Sequence, residues 1–286
     1  MPHFCGLMEA PQPHPNCWYS DPRWLAACAA SEPSTARADG LHACRIKGVP
    51  ALTTPPWALY AGKMDDQHHM DLLQSEHAHL IVCDFPPGMI PQLDSPWMVH
   101  HGHTRQLSAN TVGTYPLLPK HRKKQAAKAL ESGIVISPCT DVERMARLHQ
   151  ASRARKRIPS DDASLRRILN IVFSTPHHSS FIATDAQGHD IANAVFLHHQ
   201  GHTVYAFGGQ IRNALSASAT VLLIQQGIQA AQALGNGVFD FGGSADPGVD
   251  QFYAEFGAER IVKCKAVRVS KPFRLWLRWF RPDLFR

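Results

Sequence analysis

The 286-residue chain is poor in charge, has no paired-cysteine motif and has no long apolar run. Asp, Glu, Lys and Arg make up 18% of it, against about 25% in an ordinary soluble domain. Hydrophobic residues reach 44%, so the chain can form a core and composition excludes disorder throughout. No apolar stretch approaches the ~18 residues that span a bilayer. The opening residues show no cationic start followed by an apolar segment, so a secretory leader is not expected. The seven cysteines are odd in number and form no CxxC pair, which argues against a disulfide framework and a zinc ribbon. Reduced thiols and a cytoplasmic protein are the expectation, with Cys83 and Cys139 as small buried fillers. A Walker A loop, a GxGxxG fingerprint and an HExxH motif are all missing, which disfavours nucleotide hydrolysis, dinucleotide binding and zincin chemistry. No Ser-His-Asp or Cys-His arrangement is evident, so a covalent intermediate is not expected.

Histidine, by contrast, is abundant, with 18 residues and two dense groups, His100-His101-His103 and His198-His199-His202. The second group straddles a hairpin turn at Gln200-Gly201. Both read as exposed strand-end and turn histidines, and no metal site is expected. The net charge of +6 is unevenly spread. Lys120 to Lys128, Arg153 to Arg157 and residues 271–286 together carry +13, which leaves −7 on the rest. Such patches are either solvated faces or attractors of an anionic partner.

Residues 1–40, rich in Pro, Ser and Ala, read as a poorly ordered lead-in with a short helix at Trp24 to Ala30. A strand runs from Leu41 to Val49, followed by an irregular proline-bearing loop. A helix over Asp65 to Glu76, a buried strand over Leu80 to Phe85 and an extended stretch over Met98 to Leu107 follow. Lys120 to Glu131 is a basic helix and Ile134 to Ile136 a strand. Thr140 with Glu143 forms a capping box for the next helix, and Ser160-Asp161-Asp162 starts another. Three strands follow, Ser180 to Ala183, Ile191 to Leu197 and Thr203 to Phe207, joined by tight-turn sequences. A long helix from Ala217 to Leu234, a strand at Val238 to Phe241, a short helix at Asp250 to Phe256 and a strand at Glu259 to Val269 complete the order. That order predicts an α/β fold with a mixed sheet, α+β in its strand arrangement. In the tail, Phe273, Trp276, Leu277 and Phe280 repeat at helical spacing, with Arg274, Arg278 and Arg281 on another face. This pattern fits either a helix on an anionic membrane surface or one docked on its own domain.

The run VFDFGG followed by PGVDQFYAEFGAERI resembles the end of a GNAT acyltransferase domain, and more specifically the FemAB-like and BioF2-like branch. KHRKKQAAKALESG and DVERMARLHQAS resemble that branch's successive helices, and PPWALYAG and Trp97 resemble features of its first half. The resemblance implies two tandem GNAT-like halves, residues 41–115 and 116–269, with 270–286 as an added basic amphipathic helix. It implies transfer of an acyl or aminoacyl group to an amine, directly from a phosphate-containing donor. Acyl-CoA or acyl carrier protein comes first as co-substrate, with no tightly bound cofactor. Aminoacyl-tRNA comes second, because the helical arm of Fem ligases has no counterpart here; no other nucleic acid is expected. The acceptor is a small-molecule or envelope-precursor amine. The rival reading is a non-catalytic module that binds an anionic partner at the inner face of the membrane.

Carried onto this sequence, the family pattern places donor contacts at Gly208 and Gly209, where backbone groups meet the reacting carbonyl, and at Arg212. The helix start Ser216-Ala217-Ser218 would cradle phosphates through free N–H groups. Leu215 departs from the pattern, which has glycine there. Tyr253, four residues before Gly257, matches the tyrosine that protonates the leaving group; its alternative is a half-buried helix residue. Asp240 orients substrate, acts as a base, or bonds the following Gly242-Gly243-Ser244 loop. Arg122, Lys124, Gly242 and Ser244 are the expected substrate contacts.

Overall fold

The computed structural model describes residues 17–29, 40–61, 73, 78–158, 161–243 and 246–285. Among these residues, ten strands form one sheet in the order β1-β2-β3-β10-β4-β9-β8-β7-β6-β5. These are β1 (His42–Ile46), β2 (Val49–Thr53), β3 (Leu80–Asp84), β4 (Met98–Ser108), β5 (Val135–Pro138), β6 (His178–Thr184), β7 (Asp190–His199), β8 (His202–Gln210), β9 (Val238–Asp240) and β10 (Glu259–Val269). The helices are α1 (Pro22–Ala29), α2 (Lys120–Glu131), α3 (Val142–Arg155), α4 (Asp162–Phe173), α5 (Ser216–Ala233), α6 (Pro247–Ala254) and α7 (Lys271–Phe280).

Strand β7 shows why the sheet is covered on both faces. Ala192, Ala194 and Phe196 enter a core shared with α2 and α5. Val195 and Leu197 enter a second core with α1, α3 and α4. Side chains alternate along a strand, so a strand apolar at both parities must lie between two helical layers. The second core includes Trp18, Tyr19 and Trp24, all fully buried. Residues 17–29 are therefore a packed part of the fold, which corrects the reading of this stretch as a loose lead-in.

Three further boundaries differ from expectation. The strand expected over Leu41 to Val49 breaks at Lys47-Gly48, whose φ angles of 51° and 83° make a hairpin turn. The cap of α3 is Asp141, which accepts from Arg144 N–H, rather than Thr140. Strand β8 runs on to Gln210, so Gly208 and Gly209 lie inside it and not in a loop exit. The expected helix at Asp65 to Glu76 lies outside the described residues apart from Leu73, which is buried.

The last strand, β10, inserts between β3 and β4 and pairs antiparallel with both. Segments 41–115 and 116–269 thus share one sheet, and a cut between them separates paired strands. Strand β9 in turn pairs with β4. These long-range pairings bring residues from both segments to one point, the end of β9.

Candidate active site

Strands β8 and β9 run parallel and pair only at His202↔Val238, Thr203↔Phe239 and Val204↔Asp240. Beyond that point β9 ends and β8 continues alongside β7 alone. The sheet is forked there, and a cleft of about 500 Å³ opens at the fork. Its floor is Tyr205 and Gly208 to Gln210; Ala217 and Thr220 from the start of α5 form one side, and Arg153, Arg155 and Lys156 from the end of α3 another. A long helix directs its N-terminal N–H groups and positive dipole end outward, so the cleft favours an anion on two counts. Lys156 Nζ lies 2.7 Å from Asp246, the N-cap of α6, and ties the two helices across the mouth.

Helix α3 also lies along the free edge of β8. Ile211 N–H donates to Ile191 O at 3.0 Å, so Gln210, one residue earlier, turns its own N–H and C=O away from β7. Ser152 serves both: Gln210 N–H donates to Ser152 Oγ at 2.8 Å, and the hydroxyl donates to Gln210 O at 3.1 Å. His149 Nδ1 lies 3.0 Å from Gly208 O, a contact in which the ring N–H donates to the carbonyl. Burial lowers the His149 pKa to about 4, so the ring is neutral at pH 7.

The two glycines of β8 are required by the protein's own atoms. A Cβ on Gly208 would lie 1.8 Å from the Tyr205 hydroxyl, and one on Gly209 would lie 2.3 Å from the backbone of Leu148 in α3. Both residues line the cleft, but their missing side chains admit the Tyr205 ring and helix α3 rather than a ligand.

A second cleft, of about 910 Å³, lies beyond the Gly242-Gly243 turn, and Gly243 lines both. Its walls include His101 and His103 of β4, Lys263 and Lys265 of β10, and Asp250 of α6. The turn needs glycine twice over. Gly242 and Gly243 have φ of 78° and 73°, and a Cβ on Gly242 would lie 2.8 Å from Tyr205 O. Only glycine enters that backbone region without strain.

Tyr253 faces the first cleft. Burial, reinforced by Tyr205 and Asp240, pushes its phenol well above the ordinary value, so it stays protonated at neutral pH. Helix α6 holds it in place through Asp250. Arg105 grips that carboxylate with Nε at 2.7 Å and Nη2 at 2.8 Å, Arg260 adds 3.0 Å and His103 2.9 Å. The Arg105 bonds come first in holding the Asp250 carboxyl well below the usual range.

Asp240 anchors three segments. Thr104 Oγ1 donates to it at 2.6 Å, Gln106 Nε2 at 2.8 Å and Gly242 N–H at 2.7 Å. Its carboxylate is spent on joining β4, β9 and the glycine turn. Arg122 is likewise consumed, paired with Glu255 at 2.5 Å and stacked over Phe252 and Phe256. Neither Arg122 nor the exposed Lys124 lines either of these two clefts. Arg212 is exposed and outside the first cleft, and the half-buried Ser218 also lies outside it. Ser216 is buried, with its hydroxyl 2.6 Å from Ile211 O and 2.7 Å from Asn213 Oδ1; it shapes the start of α5 instead of facing the cleft. Ala217 is the member of that trio at the cleft. Ser244 lies outside the described residues.

The histidines also differ from the sequence reading. His198 and His199 are buried, not exposed. His198 bonds Ser179 and Thr203 through its two ring nitrogens, and His199 Nε2 lies 2.9 Å from the Tyr60 hydroxyl. Among the described residues, no group of three or more His, Cys, Asp or Glu could hold a metal. Two residues at the site were not singled out from sequence, His149 and Lys263. Burial lowers the Lys263 pKa, with Asp84 and Asp240 acting the other way, and its side chain borders both the second cleft and the recess beside Asp240.

An α/β sheet forked beside a helix N-terminus, with a second cleft across the fork, defines the class of architecture. No family model matches the sequence, and no curated protein matches it. Among solved structures, FemX superposes with a TM-score of 0.59 at 11% identity, over 92% of this chain and 95% of its own. L-PGS from Bacillus licheniformis gives 0.57 at 10%, over 93% and 98%. The C-terminal domain of a putative lysylphosphatidylglycerol synthetase from Agrobacterium fabrum gives 0.55 at 11%, over 89% and 94%. The chain shares the fold of FemX and the two synthetase structures.

Proposed function

We propose that the protein transfers an acyl or aminoacyl group from a phosphate-bearing carrier to an amine, with donor and acceptor entering from opposite sides of the Gly242-Gly243 turn. The observation that carries this reading is the pair of clefts that share Gly243. The first has the cations and helix end for an anionic carrier, and the second has a lysine of lowered pKa for the acceptor. FemX and the L-PGS structures support transferase chemistry on this fold, and both acyl-CoA and aminoacyl-tRNA fit the donor role.

In the reaction, the amine nitrogen attacks the donor carbonyl, the new C–N bond forms, and the C–S or C–O bond to the carrier breaks. The acceptor amine sheds its proton to solvent in the second cleft, beside Lys263. The departing thiolate or alkoxide takes one from Tyr253. Arg153, Arg155 and Lys156 hold the carrier's phosphates and release none of their own protons.

Equilibrium binding of radiolabelled acyl-CoA and aminoacyl-tRNA tests the donor assignment. One of the two binds, and binding weakens in Arg155→Gln/Lys156→Gln and with added salt. Failure of both donors to bind a folded protein contradicts the reading.

A further inference from the structure

The C-terminal helix α7 divides into three sectors. Phe273 and Leu277 point inward, onto a core with Leu80, Val82, Val267 and Val269, and Leu277 is fully buried. That settles one half of the sequence reading: the helix is docked on its own domain. At 3.6 residues per turn, Leu275, Trp279, Trp276 and Phe280 fall together on the next sector. They stay exposed, Leu275 and Trp279 at 82% each. Lys271, Arg274 and Arg278 form the third sector and are also exposed. No acidic residue lies between 271 and 280.

Docking alone does not account for the second sector. A helix that only covers its own sheet has no use for two tryptophans, a leucine and a phenylalanine in water beside three cations. Trp276 is held in that position, with Nε1–H donating to Lys47 O at 3.4 Å and its ring 4.2 Å from that of Phe280. Lys47, on the β1–β2 turn, is exposed and adds a further cation at this edge.

We infer that the outer face of α7 is a docking surface for an anionic lipid bilayer. Leu275, Trp279 and the edges of Trp276 and Phe280 enter the headgroup boundary, and Lys271, Arg274 and Arg278 meet lipid phosphates. Apolar burial and cationic attraction add in such a helix, and tryptophan favours the interfacial level. No helix of the described residues is long and apolar enough to cross a membrane, so the contact is peripheral. The 3-10 turn that follows α7 supplies Asp283 to the second cleft, so docking holds that cleft's wall beside the bilayer.

Sedimentation of the full chain with vesicles tests this. Vesicles of phosphatidylcholine with about 30% phosphatidylglycerol pellet the protein, and phosphatidylcholine alone pellets far less. Arg274→Gln/Arg278→Gln weakens binding roughly thirtyfold, from about 1 kcal/mol per lipid-facing cation. Leu275→Ala/Trp279→Ala weakens it at low and high salt alike. Both variants keep the wild-type circular dichroism, because neither touches Leu277. Two results overturn the inference. One is a chain that stays in the supernatant with both vesicle types. The other is a concentration-dependent dimer, seen by light scattering and abolished by Leu275→Ala/Trp279→Ala, which makes a second copy the occupant. Neither result bears on donor binding, so this inference fails or stands separately from the transfer reaction.

Discussion

Substituting Gly209 by alanine tests how the first cleft is built. The new Cβ would lie 2.3 Å from the carbonyl carbon and oxygen of Leu148 and 2.4 Å from His149 N. These are backbone atoms of α3 and cannot rotate away. Reaching ordinary contact requires α3 to retreat by about 1 Å. Overpacking of that kind costs about 1–3 kcal/mol. The retreat also stretches the Ser152 bonds to Gln210 and the His149 bond to Gly208 O, at about 1 kcal/mol each when lost. With all three bonds lost the total is roughly 4–6 kcal/mol, or a fall of roughly 8–24 °C in Tm for a chain of this size. Arg153, Arg155 and Lys156 ride on the same helix, so donor affinity falls as well. Gly237→Ala is the control, because no atom lies within 4 Å of its Cβ, and it stays within about 0.5 kcal/mol. Urea unfolding of both variants is the assay. Equal stability of Gly209→Ala and wild type refutes the close approach of α3 to β8.

The remaining predictions concern pH, α6 and the acid. His149 has its pKa lowered to about 4 from an unfolded value near 6.5, so the unfolded chain binds the proton first. The neutral ring's contribution is complete above pH ~6.5 and is lost as pH falls toward ~4, by up to ~3 kcal/mol. Urea unfolding across this range shows a shallower loss in His149→Gln; an unchanged slope removes His149 as a source, although His178 and His202, also lowered by burial, contribute to both proteins. Asp250→Ala leaves the nearly buried Arg105 without its carboxylate and costs about 3–5 kcal/mol, read as a Tm shift, with Asp250→Asn milder. A loss under about 1 kcal/mol in Asp250→Ala contradicts the role of this pair in holding α6.

The second half of the fold was legible because its signals are local. Alternation, the turns at Asp185 to Gly188 and Gln200-Gly201, and the stripes of α3, α4 and α5 all act within a few residues. Pairings across the chain leave no such trace. Nothing near Glu259 says that β10 enters between β3 and β4, and nothing near Lys120 says that Glu255 neutralises Arg122 from 133 residues away. The histidines at 198 and 199 looked exposed because they adjoin a turn, yet β7 is central and covered on both faces. Tyr253, Gly208 and Gly209, singled out through their motif, all line the first cleft. Asp240 bonds the turn through Gly242 N–H, as one of its readings had it, but its other two donors come from β4 and left no local trace. Lys263 escaped notice because a lysine in a strand ordinarily faces water, and only the second cleft gives it another environment.

The central claim is transfer across the glycine turn, and the direct measurement is discharge of labelled acyl-CoA or aminoacyl-tRNA in the presence of mixed envelope-precursor amines, with product mass recorded. The account predicts protein-dependent discharge from one donor into an amide, slowed about 100-fold or more in Tyr253→Phe with donor affinity unchanged. Discharge from neither donor, or wild-type rates in Tyr253→Phe, contradicts it.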